Sequence, residues 1–309
     1  MAPHVTESCL ASPLPRSVVA RLRAAGCVFA EDEARLLLSA ARTPAGLAAM
    51  VARRTAGQPL EHVLGWAQFC GLRIAVDPGV FVPRRRTEFL ARQATALARQ
   101  ATSPADQALA RPRAVVVDLC CGSGAVGAAL VTALDRVELY AVDIDPAAVR
   151  CARRNLAATG ARAYVGNLYE PLPPTLHGHV DVLVANAPYV PTEAVGLLPP
   201  EARIHEPRVA LDGGADGLGV LRRVIAAAPR WLAPGGSLLV ETSERQVPQT
   251  VDTVARTGLI PQVVSSDELN ATVVIGTRPA LQNGPWSGRR ESNPRSQLGR
   301  PLRLSVTRS

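Results

Sequence analysis

The segment that most constrains this 309-residue chain is an apolar run, Ala114-Val115-Val116-Val117, which ends at Asp118-Leu119 and passes straight into Cys120-Cys121-Gly122-Ser123-Gly124-Ala125-Val126-Gly127. A run without polar alternation suits a strand buried on both faces, as in a parallel sheet covered by helices. The glycines suit a tight turn into a helix. The pattern recurs as Leu139 to Val142 followed by a helix over 146–158, and further strands are predicted at 163–165, 180–185, 237–241, 261–265 and 272–276. A helix from Thr87 to about Gln100 leads in. Residues 87–280 therefore predict a doubly wound, Rossmann-like α/β domain.

Residues 1–60 read as a separate small helical unit. Val18, Val19 and Leu22, then Ala34, Leu37, Leu38 and Ala41, then Leu47, Met50 and Val51 recur at helical spacing between breaks at Gly26, Thr43-Pro44 and Gly57. Over 61–86 short strands are predicted at Val63-Leu64, Leu72 to Val76 and Val80 to Val82, punctuated by Gly65, Gly71 and Asp77-Pro78-Gly79. That makes a β-hairpin connector.

The net charge of +8 raises the question of nucleic acid. All 34 basic residues counted as Lys or Arg are Arg, however, and residues 283–309 hold six of them with one Glu. The body of the chain is thus nearly balanced, so direct nucleic-acid binding is not expected. The tail 281–309 lacks apolar periodicity and is predicted to be disordered. Arg290-Glu291-Ser292-Asn293-Pro294 reverse-translates to the complement of a tRNA T-arm consensus, so the tail reads either as read-through of an antisense tRNA gene or as an ordinary basic tail. The six cysteines show no zinc-ligand spacing and read as reduced, mostly core thiols, with no metal site. No membrane-length apolar stretch or signal start is present, which points to a cytoplasmic protein.

Gly122 to Gly127 spells G-x-G-x-x-G, which fits a dinucleotide, another nucleotide-like cofactor or a plain strand-to-helix turn. Asp143, ending the second strand, can accept hydrogen bonds from ribose hydroxyls in either nucleotide class. Asp118 and Asp143-Ile144-Asp145-Pro146 make the surroundings acidic. That suits S-adenosylmethionine, which carries a cationic amino group and no pyrophosphate. After the third strand, Asn167 and Leu168 can line an adenine edge and face.

Asn186-Ala187-Pro188-Tyr189 follows the strand 180–185, at the sheet end where such folds bind ligands. An amide nitrogen is a poor nucleophile because its lone pair is delocalised. Transfer to it requires acceptors that hold the NH2 group in line with the methyl carbon. The Asn186 oxygen can be one acceptor and the backbone carbonyl before Pro188 another, while Tyr189 can pack on the planar amide beside a sulfonium. Standing alone, the loop also fits a Pro turn with a buried Tyr.

Taken together, these segments resemble the HemK/PrmC family of protein-glutamine N5-methyltransferases, whose motif reads Asn-Pro-Pro-Tyr. The resemblance runs from about Gln58 to Gly276 and includes Gly57 to Gly65 with Phe69, Gly71 and Leu72, then Val76 to Arg84, Glu206 to Leu211 and Gly213 to Leu218. It implies a class I methyltransferase domain and an N-terminal helical domain that recognises a protein, a peptide chain release factor or ribosomal protein. It also implies cofactor contacts at Cys120, Cys121, Gly122, Ser123, Gly124, Asp143, Asn167, Leu168 and Asn186, with Asp118 beside them. Asn186, Pro188 and Tyr189 become the catalytic residues, and the target glutamine contacts Asn186, Ala187, Pro188 and Tyr189.

The chain departs from the pattern at Ala187 for Pro, Cys120 for Gly, Asn167 for Asp, and Pro83-Arg84-Arg85-Arg86-Thr87-Glu88 for Pro-Arg-Pro-Glu-Thr-Glu. It therefore reads as a divergent paralogue whose substrate is open. Two rivals stay beside it, a nucleic-acid amino methyltransferase acting on adenine or guanine and a catalytically degenerate cofactor-binding module, with a nicotinamide dehydrogenase as a weaker third because no hydride-transfer acid or base is placed beyond the loop.

Overall fold

The computed structural model describes residues 16–102, 112–280 and 306–308. Helices α1 (Arg16–Ala24), α2 (Ala30–Ala40) and α3 (Pro44–Thr55) come first. Leu22, Ala34, Leu37 and Val51, spaced to share helix faces, meet in a core of their own. Thr43 caps α3 by accepting the Gly46 N–H, with Pro44 in the first turn.

Val63-Leu64, expected as a strand, instead belongs to helix α4 (Leu60–Leu64). Pro59 precedes its first turn, Gly65 ends it at φ 81°, and His62 turns inward with Nε2 2.8 Å from the Val80 carbonyl. Strands β1 (Trp66–Phe69) and β2 (Leu72–Ala75) form the hairpin. Val80 to Val82, also expected as a strand, is loop; Val80 and Val82 are buried, so their alternation reflected burial rather than a hydrogen-bonded ladder.

Then follow α5 (Thr87–Ala101), β3 (Ala114–Leu119), α6 (Ala125–Ala133), β4 (Val137–Asp143), α7 (Pro146–Asn155), β5 (Arg162–Val165) and β6 (Val180–Ala185). The chain continues through α8 (Pro200–His205), α9 (Gly219–Trp231), β7 (Leu232–Thr242), α10 (Val247–Arg256), β8 (Ile260–Ser266), β9 (Ala271–Thr277) and β10 (Val306–Arg308). The sheet order is β10-β8-β9-β7-β6-β3-β4-β5, and β9 runs antiparallel to both its neighbours. Ala114 and Val116 of β3 face the core beneath α5, α6 and α7, while Val117 and Leu119 face that of α9 and α10. Burial on both faces accounts for the unbroken apolar run. This is a three-layer, doubly wound α/β architecture, as the sequence predicted.

Strand β10 corrects part of the expected disorder: Val306–Arg308 pairs in parallel with Val263 to Ser265, covering the open edge of β8. Residues 281–305, including the tRNA-like text, lie outside the described residues. Among those described, no helix is long and apolar enough to cross a membrane.

From β3 the chain winds to β4 and β5 on one side and returns to β6 and β7 on the other, which opens a crevice at the strands' carboxyl ends. Pairing sets Leu119 opposite Val142 and Ala185, and Ala185 opposite Val240. The next residues, Cys120, Asp143, Asn186 and Glu241, therefore form one row along that edge.

Candidate active site

The turn after β3 curls through positive φ at Cys120 (55°), Gly122 (55°) and Gly124 (76°). Asp143 fastens it to β4: its Oδ2 accepts from the Gly122 N–H at 2.8 Å, and its Oδ1 from the Asp145 N–H at 2.9 Å. With backbone N–H groups on it, the carboxylate still keeps acceptor capacity for a hydroxyl donor. Burial raises the Asp143 pKa. At Gly127 a Cβ would lie 2.8 Å from the end of the Leu139 side chain, and the missing side chain leaves room for α6 to settle on β4.

Asp118 sits behind this turn. Its Oδ2 accepts from the Gly127 N–H at 3.0 Å, and burial, reinforced by the charge of Asp143, pushes its pKa up to about 7 despite that bond. Cys121, Ser123 and Gly124 are buried with it. Of the residues expected from this loop, Cys120 and Gly122 reach the cavity wall, whereas Asp118, Cys121, Ser123 and Gly124 shape the turn from within. Burial holds the Cys120 thiol far above its ordinary range, so it stays protonated.

A cavity of about 590 Å³ joins Cys120, Gly122, Asp143, Asn167 and Leu168 to all four residues from Asn186 to Tyr189. Asn167 is less free than expected: its Oδ1 accepts from Arg223 at 2.9 Å and its Nδ2 donates to Glu170 at 2.9 Å. One carbonyl lone pair remains for an exocyclic amine.

Asn186 Nδ2 donates to the Thr87 hydroxyl at 3.2 Å, which leaves Oδ1 as an acceptor. The Tyr189 hydroxyl donates to Glu241 Oε1 at 3.4 Å, and the Arg86 guanidinium stands 5.6 Å from the ring centroid. Burial and the Glu241 charge push the Tyr189 pKa up to about 12. The backbone after this loop is clamped: Val190 N–H donates to the Leu211 carbonyl at 3.1 Å, Gly213 N–H to the Val190 carbonyl at 2.8 Å, and Gln246 Nε2 to the Tyr189 carbonyl at 3.0 Å. A Cβ on Gly217 would lie 2.3 Å from the Tyr189 carbonyl oxygen, and one on Gly213 would lie 2.6 Å from that of Pro188. The glycine-rich segment 213–218 is thus the bed on which the loop backbone rests.

The arginine-rich stretch points three ways. Arg84 pairs with Glu206, Arg86 Nε lies 3.2 Å from Glu241 Oε1, and Arg85 is exposed. Glu88 Oε1 accepts from the Cys70 N–H at 3.0 Å and ties α5 to the hairpin. Thr87, Glu206, Arg223 and Glu241 were not singled out from the sequence as site residues. For Glu241 a signal existed, since an acid closing the apolar run Leu238-Leu239-Val240 repeats the placement of Asp143 at the end of β4.

The cavity thus carries lone pairs suited to ribose hydroxyls, acidic groups suited to a cationic amine, and a separate amide acceptor held by Thr87. Among the described residues, no group of three or more His, Cys, Asp or Glu is arranged to hold a metal ion. Residues 105–212 match the family model described as Methyltransferase small domain. The chain is 38% identical over 231 residues to the release factor glutamine methyltransferase of Geobacter sulfurreducens, covering 74% of this chain and 76% of that protein. It is also 38% identical over 242 residues to the enzyme of that name from Mycolicibacterium smegmatis, covering 77% and 82%. The chain belongs to the release factor glutamine methyltransferase family. It is therefore an S-adenosylmethionine-dependent methyltransferase, and the acceptor set around Asp143 fits that cofactor. The chain also shares 38% identity over 199 residues with a 4-amino-L-phenylalanine/4-methylamino-L-phenylalanine methyltransferase of Streptomyces pristinaespiralis, covering 64% of this chain and 65% of that one.

Proposed function

We propose that this enzyme methylates the side-chain amide nitrogen of a glutamine in a peptide chain release factor. The observation that carries the reading is the Asn186–Thr87 bond, which turns the Asn186 NH2 group away and leaves Oδ1 to accept from the substrate's own NH2. Bound S-adenosylmethionine supplies an electrophilic methyl carbon on a sulfonium. Asp143 and the Gly122 turn hold the ribose end, and Asn167 takes the adenine amino group. Asn186 Oδ1 and the Ala187 carbonyl accept the two N–H donors of the glutamine, aligning its nitrogen. Holding these groups in line is the main source of acceleration for so weak a nucleophile. Tyr189 packs on the amide plane.

The helical unit within residues 1–60 is the proposed protein-recognition element. Arg54 links it to the cavity, pairing with Glu33 inside the unit at 2.6 Å and with Glu201 on the cavity wall at 2.5 Å. A cytoplasmic setting beside the translation machinery belongs to the same proposal.

The test incubates the enzyme with S-adenosylmethionine and purified release factors or ribosomal proteins, followed by peptide mass spectrometry. One added methyl on a single release-factor glutamine supports the reading. Label transferred only to RNA or DNA, or only to free 4-aminophenylalanine, would overturn it.

A further inference from the structure

We infer that Glu241 is a positioning residue for the methyl-accepting loop and that Arg86, standing where the family motif has Glu, is its counter-charge. The inference rests on the proposed glutamine acceptor only for its activity arm.

Glu241 closes the row Cys120, Asp143, Asn186 along the sheet edge, and its side chain is 3% exposed. From there the carboxylate holds the Tyr189 end of the catalytic loop and stands beside Arg86. Its Oε1 accepts from the Tyr189 hydroxyl at 3.4 Å and lies 3.2 Å from Arg86 Nε. Its Oε2 is buried with no donor in hydrogen-bonding geometry. The Thr87 hydroxyl, bonded to Asn186 at 3.2 Å, lies beside the position next to Asn186 in the row, which is Glu241, and so is the donor placed to turn toward this carboxylate.

The consequence lies at Asn186. A hydroxyl carries one proton. If Thr87 directs that proton to Glu241, only its lone pairs face Asn186, and the Asn186 amide must turn Nδ2 toward Thr87 and Oδ1 toward the substrate. If Glu241 loses its charge, Thr87 is free to donate to Asn186 instead. The amide can then flip and present NH2 to the NH2 of the substrate, which removes the acceptor. A buried carboxylate with an unfilled oxygen is costly to the fold. Its position is better explained by what it orients than by stability.

The charged and titratable groups facing Glu241 are Arg86 ahead of α5 and Tyr189 on the loop; Arg84 acts on Tyr189 and is itself held by Glu206. On β9 the residue opposite is the neutral Val273. Burial raises the Glu241 pKa, and Arg86 opposes that rise. Positioning by the ionised form is therefore present above this pKa and lost as pH falls through it, and removing Arg86 moves the loss to higher pH.

The test compares wild type, Glu241→Gln and Arg86→Gln across a pH series. Glu241→Gln is expected to lower kcat about 100-fold, the scale of a small misalignment at the reacting centre, with the KM for S-adenosylmethionine within about twofold, since the cofactor contacts are elsewhere. Arg86→Gln is expected to shift the acid limb of kcat to higher pH. A second arm needs no substrate: in wild type the Asn186 side-chain amide signals in nitrogen-15 NMR should follow a titration that is absent in Glu241→Gln. Wild-type kcat in Glu241→Gln, an unmoved acid limb in Arg86→Gln, or an Asn186 signal that titrates identically in both proteins would each overturn the inference. A wild type inactive on every release factor would instead overturn the proposed function, and the NMR arm would still decide the role of Glu241.

Discussion

The Arg84 guanidinium grips both oxygens of Glu206, at 2.7 and 2.6 Å, across 122 residues of sequence. Glu206 Oε1 also accepts from the Val82 N–H at 3.2 Å, and the Glu206 side chain is 1% exposed. The connector that precedes α5 and the segment that follows the catalytic loop are thus fastened by one buried carboxylate.

Removing Arg84 strands that carboxylate with a single backbone donor. Arg84→Ala should destabilise the protein by about 2 to 3 kcal/mol, below the usual cost of breaking a fully buried pair because Arg84 itself is a third exposed. Urea unfolding measures it, and a loss below about 1 kcal/mol would show that the pair is not an anchor.

Gly217 bears on the catalytic loop directly. At φ 78°, with the Tyr189 carbonyl oxygen 2.3 Å from where a Cβ would sit, Gly217→Ala must displace Tyr189 or move the segment away. Activity should fall about 100-fold while isothermal titration finds cofactor affinity nearly unchanged. A variant with wild-type kcat would mean that the segment is not the support of the loop.

The parts legible in the sequence were those dictated by burial. The apolar runs of β3 and β6 announced their strands, and the strand-end position of Asp143 and Asn186 marked the crevice. The same signal misled at Val63-Leu64 and Val80 to Val82, where apolar residues are buried without joining a ladder. Strand β7 begins at Leu232, ahead of the expected Ser237, because its backbone continues through Pro234-Gly235-Gly236. Side-chain couplings were the hidden part. Arg85 and Arg86 look alike in sequence, yet one faces solvent while the other reaches Glu241, a contact fixed only when β7 and the start of α5 come together.

Asp118 predicts a pH effect on stability. Its pKa of about 7 in the fold lies above its ordinary value of 3.8, so the folded protein holds this proton more tightly than the unfolded chain. Stability contributed by the neutral carboxyl is complete below pH 4 and declines as pH rises toward 7. Asp118→Asn retains an acceptor for the Gly127 N–H and does not titrate. Its Tm should match wild type near pH 4 and exceed it by pH 8, and a gap that stays constant with pH would contradict this.

Cys120 holds φ 55°, a conformation that costs an L-residue about 1 to 2 kcal/mol and costs glycine little. Cys120→Gly, which restores the family residue, should therefore raise unfolding free energy by about 1 kcal/mol. Lower stability would mean that the thiol's packing on the cavity wall outweighs the strain.

The most direct measurement of the central claim is methyl transfer to a purified release factor by wild type and by Asn186→Ala, read by peptide mass spectrometry with cofactor affinity measured in parallel. Wild type should methylate one glutamine, and Asn186→Ala should lose transfer by about 100-fold or more while binding S-adenosylmethionine nearly as well. Equal transfer by both proteins would contradict the account.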